Sequence, residues 1–331
     1  MRAAVLEDKR KWVVKEVPDP VLGRDEVLIR VQYCGICGSD LHIYKEGAAV
    51  GSGHEFSGDI VEIGPDVKEW SVGERVAVEP CISCGECRWC KLGQVGLCEE
   101  YYVALMQYQG AFATYAKAKH YYVHKLPDGL SYEQAALVEP TSSTLHAVRL
   151  SGMQEGDVVA VLGLGPMGQL AARLARALGA KAVYATEVSQ SRLELAREVV
   201  DEVVDASRTD PVARILELTH GEGPDIVFEC AGSVATTQQS IALVRKGGTV
   251  VIVAICFDWV EMPVSNIVLR QLTLKGSQCF AVGEFVAAFE LIKDRKIDVA
   301  PLVTCTMPLD EINEGFEKAL RAEGGKVLIQ P

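Results

Sequence analysis

Four cysteines follow one another at short intervals, Cys84, Cys87, Cys90 and Cys98, in the spacing C-x2-C-x2-C-x7-C. Thiolates this close can close a tetrahedron around one zinc ion with no position left for water, which is a structural arrangement. Mixed redox or iron–sulfur chemistry is the competing use of such a cluster. A second group is chemically mixed. It runs Cys34-Gly35-Ile36-Cys37-Gly38-Ser39-Asp40-Leu41-His42 and resumes at Gly53-His54-Glu55. A thiolate, an imidazole and a carboxylate on loops after strands suit a zinc site. Cys34-x-x-Cys37 alone could be a thioredoxin-like redox pair, but the βαβ pattern that such a pair needs is absent around it. A third stretch, Gly163-Leu164-Gly165-Pro166-Met167-Gly168, reads G-x-G-x-x-G.

The flanking elements give that last motif its force. Asp157 to Leu162 is a short apolar run, as expected of a strand covered on both faces. From Pro166 the apolar residues Met167, Leu170, Leu174, Ala177 and Leu178 share one helical face, and Gly179 can cap the end. Strand, glycine turn and helix make a cradle for a pyrophosphate, with unpaired N–H groups at the helix start. A second strand, Lys181 to Thr186, ends at Glu187, about 20 residues past the glycines, where an acid should hold the ribose hydroxyls of a dinucleotide. A carboxylate there would repel the 2′-phosphate of NADP and favours NAD; Arg192, in the first turn of the next helix, moderates this.

Upstream, Val27–Tyr33, Gly58–Gly64 and Arg75–Val78 read as strands between Gly and Pro turns, so residues 1 to about 140 form a β-rich, barrel-like unit. From about 142 to 276, strands alternate with helices: Ser189 and Asp210-Pro211 open helices, and Ile226–Cys230 and Thr249–Cys256 are strands. That alternation implies an α/β fold with a parallel, doubly wound sheet. Helices follow over Glu284–Lys293 and Asp310–Arg321.

The chain has 331 residues, a hydrophobic content of 49%, 24% charged residues and a net charge of −12. Such acidity argues against nucleic acid and against an anionic membrane as partners. No run is apolar enough to span a bilayer, and the first residues carry no signal-peptide core, so a cytoplasmic location is expected. Eleven cysteines in a reducing compartment suggest metal binding over disulfides. Cys81 is one thiol more than the lobe needs and is left without a metal. Cys230, Cys256, Cys279 and Cys305 sit in apolar surroundings and are expected in the core.

Taken together, these blocks resemble the zinc-dependent medium-chain dehydrogenase/reductase family, the alcohol and polyol dehydrogenases. The likeness runs from Met1-Arg2-Ala3-Ala4-Val5-Leu6 through the Gly-Ile-Cys-Gly-Ser-Asp block, Gly-His-Glu, the four-cysteine lobe and Lys125–Ser131 to Lys326-Val327-Leu328-Ile329. It implies a GroES-like catalytic domain, residues 1–141 and 277–331, and a Rossmann cofactor domain, residues 142–276. It implies two zinc ions per subunit and NAD. Cys37 and His54 would be ligands of the catalytic zinc, and Ser39 and His42 would carry the alcohol proton outward. Where classical alcohol dehydrogenases have a third, cysteine ligand, this chain has Val138-Glu139-Pro140, as in the sorbitol and butanediol dehydrogenases. Glu139 is then in the metal shell, and Glu55 is the other candidate, either behind the ligands or exchanging with water. Lys326 would be either the family's cation near the cofactor pyrophosphate or a solvated lysine.

The resemblance also implies a homodimer or homotetramer, joined through the cofactor domains, and a small alcohol or polyol substrate. Leu41-His42-Ile43-Tyr44 looks like the L-threonine 3-dehydrogenases, and a sugar-phosphate dehydrogenase is a further alternative, whereas Glu79-Pro80 and Ser39 favour the polyol branch. A cofactor-binding sensor would not need Cys37, Ser39, His42 and His54 together. The segment between His42 and Gly53 is short for the family, so a reshaped substrate pocket is expected.

Overall fold

The computed structural model describes residues 1–47, 52–101 and 110–331. The short loop expected to reshape the pocket falls partly on residues 48–51, outside the described residues.

Strands β1 (Arg2–Asp8) and β2 (Lys11–Glu16) form an antiparallel ribbon. A seven-stranded sheet follows, built from β3 (Glu26–Gly35), β4 (Glu55–Ile63), β5 (Arg75–Val78), β6 (Tyr115–Lys119) and β7 (Val123–Lys125). A six-stranded sheet holds β8 (Val158–Leu162), β9 (Ala182–Glu187), β10 (Glu202–Asp205), β11 (Ile226–Glu229), β12 (Thr249–Ile252) and β13 (Thr273–Gly276). The chain then returns to the first sheet as β14 (Val303–Pro308) and β15 (Lys326–Gln330).

The six-stranded sheet is parallel throughout, in the order β10-β9-β8-β11-β12-β13. Val159, Ala160 and Val161 of β8 are fully buried, because helices cover both faces; this is why the strand reads as an unbroken apolar run. The chain winds outward from β8 on one side and from β11 on the other. The switch point therefore lies at the carboxyl ends of β8 and β11, where an open sheet of this kind binds its ligand.

In the other sheet the order is β14-β15-β3-β4-β5-β7, with β6 also on β3. Register shifts between β3 and β4 at Leu28/Ile29 and Val31/Tyr33 bend the pair, as bulges do, and wrap the sheet over its core. Inside lie Val27, Ile29, Val31, Phe56 and Ile60, with an aromatic cluster centred on Phe316. Its ring is 5.4 Å from Trp12, 4.8 Å from Tyr44 and 5.6 Å from Phe112. Rings offset at such distances add about 0.5–1.5 kcal/mol per pair beyond burial. Tyr44 belongs to the helix Gly38–Glu46, so this cluster anchors the helix that carries Ser39 and His42.

A second apolar cluster joins the two sheets. It contains Val138, Leu145 and Val148 from the helix Val138–Ser151, Phe285 and Ile292 from the helix Glu284–Lys293, and Leu328 of β15. Among the described residues no helix is long and apolar enough to cross a membrane.

Candidate metal and cofactor site

β3 ends at Gly35, and two residues later Cys37 caps the helix Gly38–Glu46. Asp40 holds this turn: its Oδ2 accepts from the Cys37 N–H at 3.0 Å, and its Oδ1 accepts from the Gly53 N–H at 3.2 Å. The same Oδ1 lies 3.8 Å from Nδ1 of His54. One fully buried carboxylate thus fixes both segments that bear ligands. Asp40 was part of the motif but had no role from sequence; its signal is the Cys37-x-x-Asp40 spacing, that of a capping box.

The ligand atoms of Cys37, His54 and Glu55 lie within 4.8 Å of one another. Glu55 is not on a loop, as its motif suggested. It is the first residue of β4, opposite Gly35 of β3, and it is fully buried. Glu139, in the first turn of its helix, is also buried, and Ser143 donates to its Oε1 at 3.4 Å. Burial pushes Glu139 up to about 7, opposed by His54, reinforced by Glu55 and opposed again by Lys326. Burial presses the His54 imidazole downward, but Cys37, Asp40 and Glu139 outweigh it and hold its pKa well above the ordinary value. Cys37, His54 and Glu55 bring a sulfur, a nitrogen and an oxygen donor together inside a partly buried pocket, so the residues fit a zinc ion.

Lys326 departs from both expectations. It is neither solvated nor free to meet a pyrophosphate: it is 3% exposed, and Nζ donates to Glu55 at 2.5 and 2.7 Å and to the Ile36 carbonyl at 3.1 Å. The cause is register. Leu328 and Ile329 of β15 pair with Gly35 and Cys34, which delivers the first residue of that strand to the metal-binding turn. Burial works against the ammonium, but Glu55 and then Cys37 overcome it and raise its pKa.

In the four-cysteine lobe, Cys84 Sγ is 3.8 Å and Cys87 Sγ 3.5 Å from Cys90 Sγ. A zinc tetrahedron with Zn–S bonds of about 2.3 Å has edges of about 3.8 Å, whereas a disulfide needs about 2.05 Å. The N–H groups of Cys84 and Cys87 donate to Cys98 Sγ and Cys84 Sγ, both at 3.3 Å. The Cys90 and Glu99 N–H groups draw the Cys87 thiol down to about 6, while burial and Cys87 push Cys90 up to about 11.

At the end of β8, Gly163 has φ +90°, which favours glycine. A Cβ on Gly168 would come within 1.9 Å of the Gly163 carbonyl, so helix and turn touch backbone to backbone. Gly165 caps the helix Pro166–Ala177, with Pro166 at its first position, and Thr144 donates to the Met167 sulfur at 3.6 Å. Glu187 ends β9. Its Oε2 accepts from the Leu164 N–H at 2.8 Å, and its Oε1 from Val188 and Ser189 at 2.7 and 3.0 Å. Arg192 reaches over the turn: its guanidinium lies 3.4 Å from where a Cβ of Gly165 would be, and Nε donates to the Gly324 carbonyl at 3.0 Å. Burial lowers its pKa and Glu187 opposes that. Ser189 stands at the expected cap position, but its hydroxyl accepts from no N–H of the helix and donates to the Ala322 carbonyl at 2.8 Å. At the end of β11, Glu229 is fully buried and accepts from the Ala231 and Gly232 N–H groups at 3.0 and 2.9 Å, shaping the turn that faces Gly163.

Ser39 is exposed and His42 half-buried, one helical turn apart. Phe257 meets the His42 ring edge-on at 4.8 Å. Burial and then Lys45 lower the His42 pKa. The four later cysteines are only partly buried: Cys230 and Cys279 pack against one apolar cluster and Cys305 against the other, and Cys279 contacts Cys81.

Residues 23–128 match the family model described as the alcohol dehydrogenase GroES-like domain, and residues 166–294 match that of the zinc-binding dehydrogenase. The chain is 34% identical to a sorbitol dehydrogenase of Bacillus subtilis (strain 168), over 100% of this chain and 97% of that protein. The 2R,3R-butanediol dehydrogenase from Bacillus subtilis, a crystal structure, superposes with a TM-score of 0.89 at 36% identity, over 100% of this chain and 99% of that one. A zinc-binding dehydrogenase from Sinorhizobium meliloti 1021 bound to NADP superposes with a TM-score of 0.92 at 34% identity, with the same coverage.

Proposed function

The chain belongs to the zinc-dependent alcohol dehydrogenase family, and from that premise we propose that it oxidises a secondary alcohol, a polyol or vicinal diol, reversibly to a ketone with NAD. The observation that carries this reading is the convergence of Cys37, His54 and the buried carboxylate of Glu55, with buried Glu139 in electrostatic reach of His54, in place of a second thiolate. Cys37, His54 and a carboxylate would hold the catalytic zinc, and Cys84, Cys87, Cys90 and Cys98 a structural one. When bound, zinc supplies a Lewis acid that makes a substrate hydroxyl more acidic, and NAD supplies the hydride acceptor.

The chain's own residues do the rest. Ser39 receives the hydroxyl proton, and His42 passes it to solvent; a lowered pKa keeps that imidazole neutral and able to accept. Asp40 keeps Cys37 and His54 oriented. Lys326 engages both oxygens of Glu55, the carboxylate whose oxygen lies with Cys37 and His54, so Glu55 and Glu139 both stay candidates for the third ligand. Glu187 and the Gly163–Gly168 turn would take the ribose and pyrophosphate, with Arg192 beside them. Residues 1–141 and 277–331 then act as the catalytic domain, and 142–276 as the cofactor domain. Exposed Trp259, Val264, Val268 and Leu269 lie next to the edge strand β13 in sequence and support a homodimer or homotetramer joined there.

The test is a panel of sorbitol, xylitol, 2,3-butanediol stereoisomers, L-threonine and galactitol 1-phosphate with zinc-loaded protein. Reduced cofactor is followed with NAD and with NADP. A polyol or diol turned over with NAD supports the reading. L-threonine as the single substrate, or no turnover of any alcohol, sinks it.

A further inference from the structure

Two thiols outside both metal sets face each other. Cys81 Sγ and Cys279 Sγ are 3.0 Å apart, although 198 positions separate them in the chain. Cys81 lies three residues before the lobe ligand Cys84, and Cys279 three residues beyond the end of β13. We propose that Cys81 and Cys279 are a redox modification site: they form a reversible disulfide that ties the base of the four-cysteine lobe to the chain leaving the cofactor sheet.

Three observations beyond the distance support this. The backbone holds Cys279 at φ +51°, a left-handed conformation that cysteine seldom adopts unaided. Gly96 of the lobe lies directly on it: a Cβ there would meet the Cys279 Cβ at 2.9 Å. This close backbone approach leaves the Cys279 thiol little freedom to turn away from Cys81. Access is also divided between the two. Cys81 is 1% exposed and shielded from solvent, whereas Cys279 is half-buried and open to a small oxidant. Closing the bond, at about 2.05 Å, needs the sulfurs to approach by only about 1 Å.

With hydrogen peroxide as oxidant the step balances. The Cys279 thiolate attacks one peroxide oxygen, the O–O bond breaks, and a sulfenic acid and hydroxide result. The Cys81 sulfur then displaces the sulfenic oxygen as water, its own proton leaving with it. Two thiols lose two electrons and peroxide becomes two waters. A thiol reductant reverses the bond by exchange.

The full-length, zinc-loaded protein would be treated with stoichiometric hydrogen peroxide, alkylated in denaturant without reductant and digested with trypsin. The expected product is peptide 76–88 joined to peptide 276–293 through Cys81, with the zinc content unchanged and both thiols restored by dithiothreitol. In Cys279→Ser, Cys81 should remain open to alkylation. The proposal is overturned if zinc is released and the lobe cysteines are oxidised while Cys81 and Cys279 stay free. It is overturned equally if Cys279 stops at a sulfenic or higher acid with Cys81 unlinked. The wild-type map alone decides, so a poorly folding variant does not block the test. The readout is a covalent bond and not alcohol turnover, so its failure would leave the proposed activity untouched.

Discussion

Replacing Lys326 with methionine removes the cation between Glu55 and the metal-binding turn. Both partners are at most 3% exposed, and the ammonium meets both carboxylate oxygens. At about 2.6 Å and an effective dielectric of about 20, the attraction is about 6 kcal/mol before desolvation. Breaking such a pair from one side costs about 3–5 kcal/mol, because a buried charge is left without a partner. A zinc ion held by Cys37 and His54 would give Glu55 a new cation. Lys326→Met should therefore destabilise the zinc-free site by about 3–5 kcal/mol and the zinc-loaded protein by less. By linkage the difference appears as tighter zinc binding, about tenfold for each 1.4 kcal/mol. Urea melts of both forms, with metal analysis during chelator titration, read the two quantities. Lys326→Met with Glu55→Gln should recover most of the loss, since Glu55 then leaves no charge stranded without its partner. Equal losses in both forms, or faster loss of zinc from the variant, would refute the reasoning. The raised Lys326 pKa places its own titration far above neutrality, so any change in the result between pH 6 and 8 should trace to Glu139, held at about 7, and vanish in Glu139→Gln.

Chelator titration of the wild type should remove zinc from the mixed site before the lobe, because one thiolate with nitrogen and oxygen donors is weaker than four thiolates; simultaneous loss of both ions would count against this. Asp40→Asn should weaken zinc at the Cys37–His54 site by about 10- to 100-fold while leaving the lobe loaded, read by competition with a metal dye. Glu187→Ser should shift kcat/KM toward NADP by about 10- to 100-fold, with Arg192 left to meet the 2′-phosphate; an unchanged ratio would remove Glu187 from cofactor selection. Burial opposes ionisation of Glu284, but its hydrogen bonds to His146 and the Ala281 N–H, with Arg149 beside it, lower its pKa. A lowered carboxyl pKa stabilises above about 4.3 and is lost as pH falls through the folded value. The stability gap between wild type and Glu284→Gln, about 1.5–3 kcal/mol at pH 7, should thus close toward pH 3, measured by denaturant melts.

The amino-acid sequence by itself determined the features that are local. The lobe is legible because its four sulfurs lie within one short segment, so spacing alone brings them together. The dinucleotide turn is legible because Gly163 must take a positive φ and Gly168 must let helix and strand touch, demands that a few consecutive residues express. Helix Glu284–Lys293 matched its sequence pattern to the residue, whereas β4 began at Glu55, earlier than its alternation suggested, because pairing with Gly35 of β3 extends it. Only the tertiary structure decided what meets across long separations. It joined Lys326 to Glu55, 271 positions apart, through the register of β15 on β3. It brought Glu139 into electrostatic reach of His54, Phe257 onto His42, and Cys279 against Cys81. Motif spacing carries backbone geometry over a few residues. Which buried charge or thiol finds which partner depends on strand register and on how the two sheets share a core, and neither is written in any one segment.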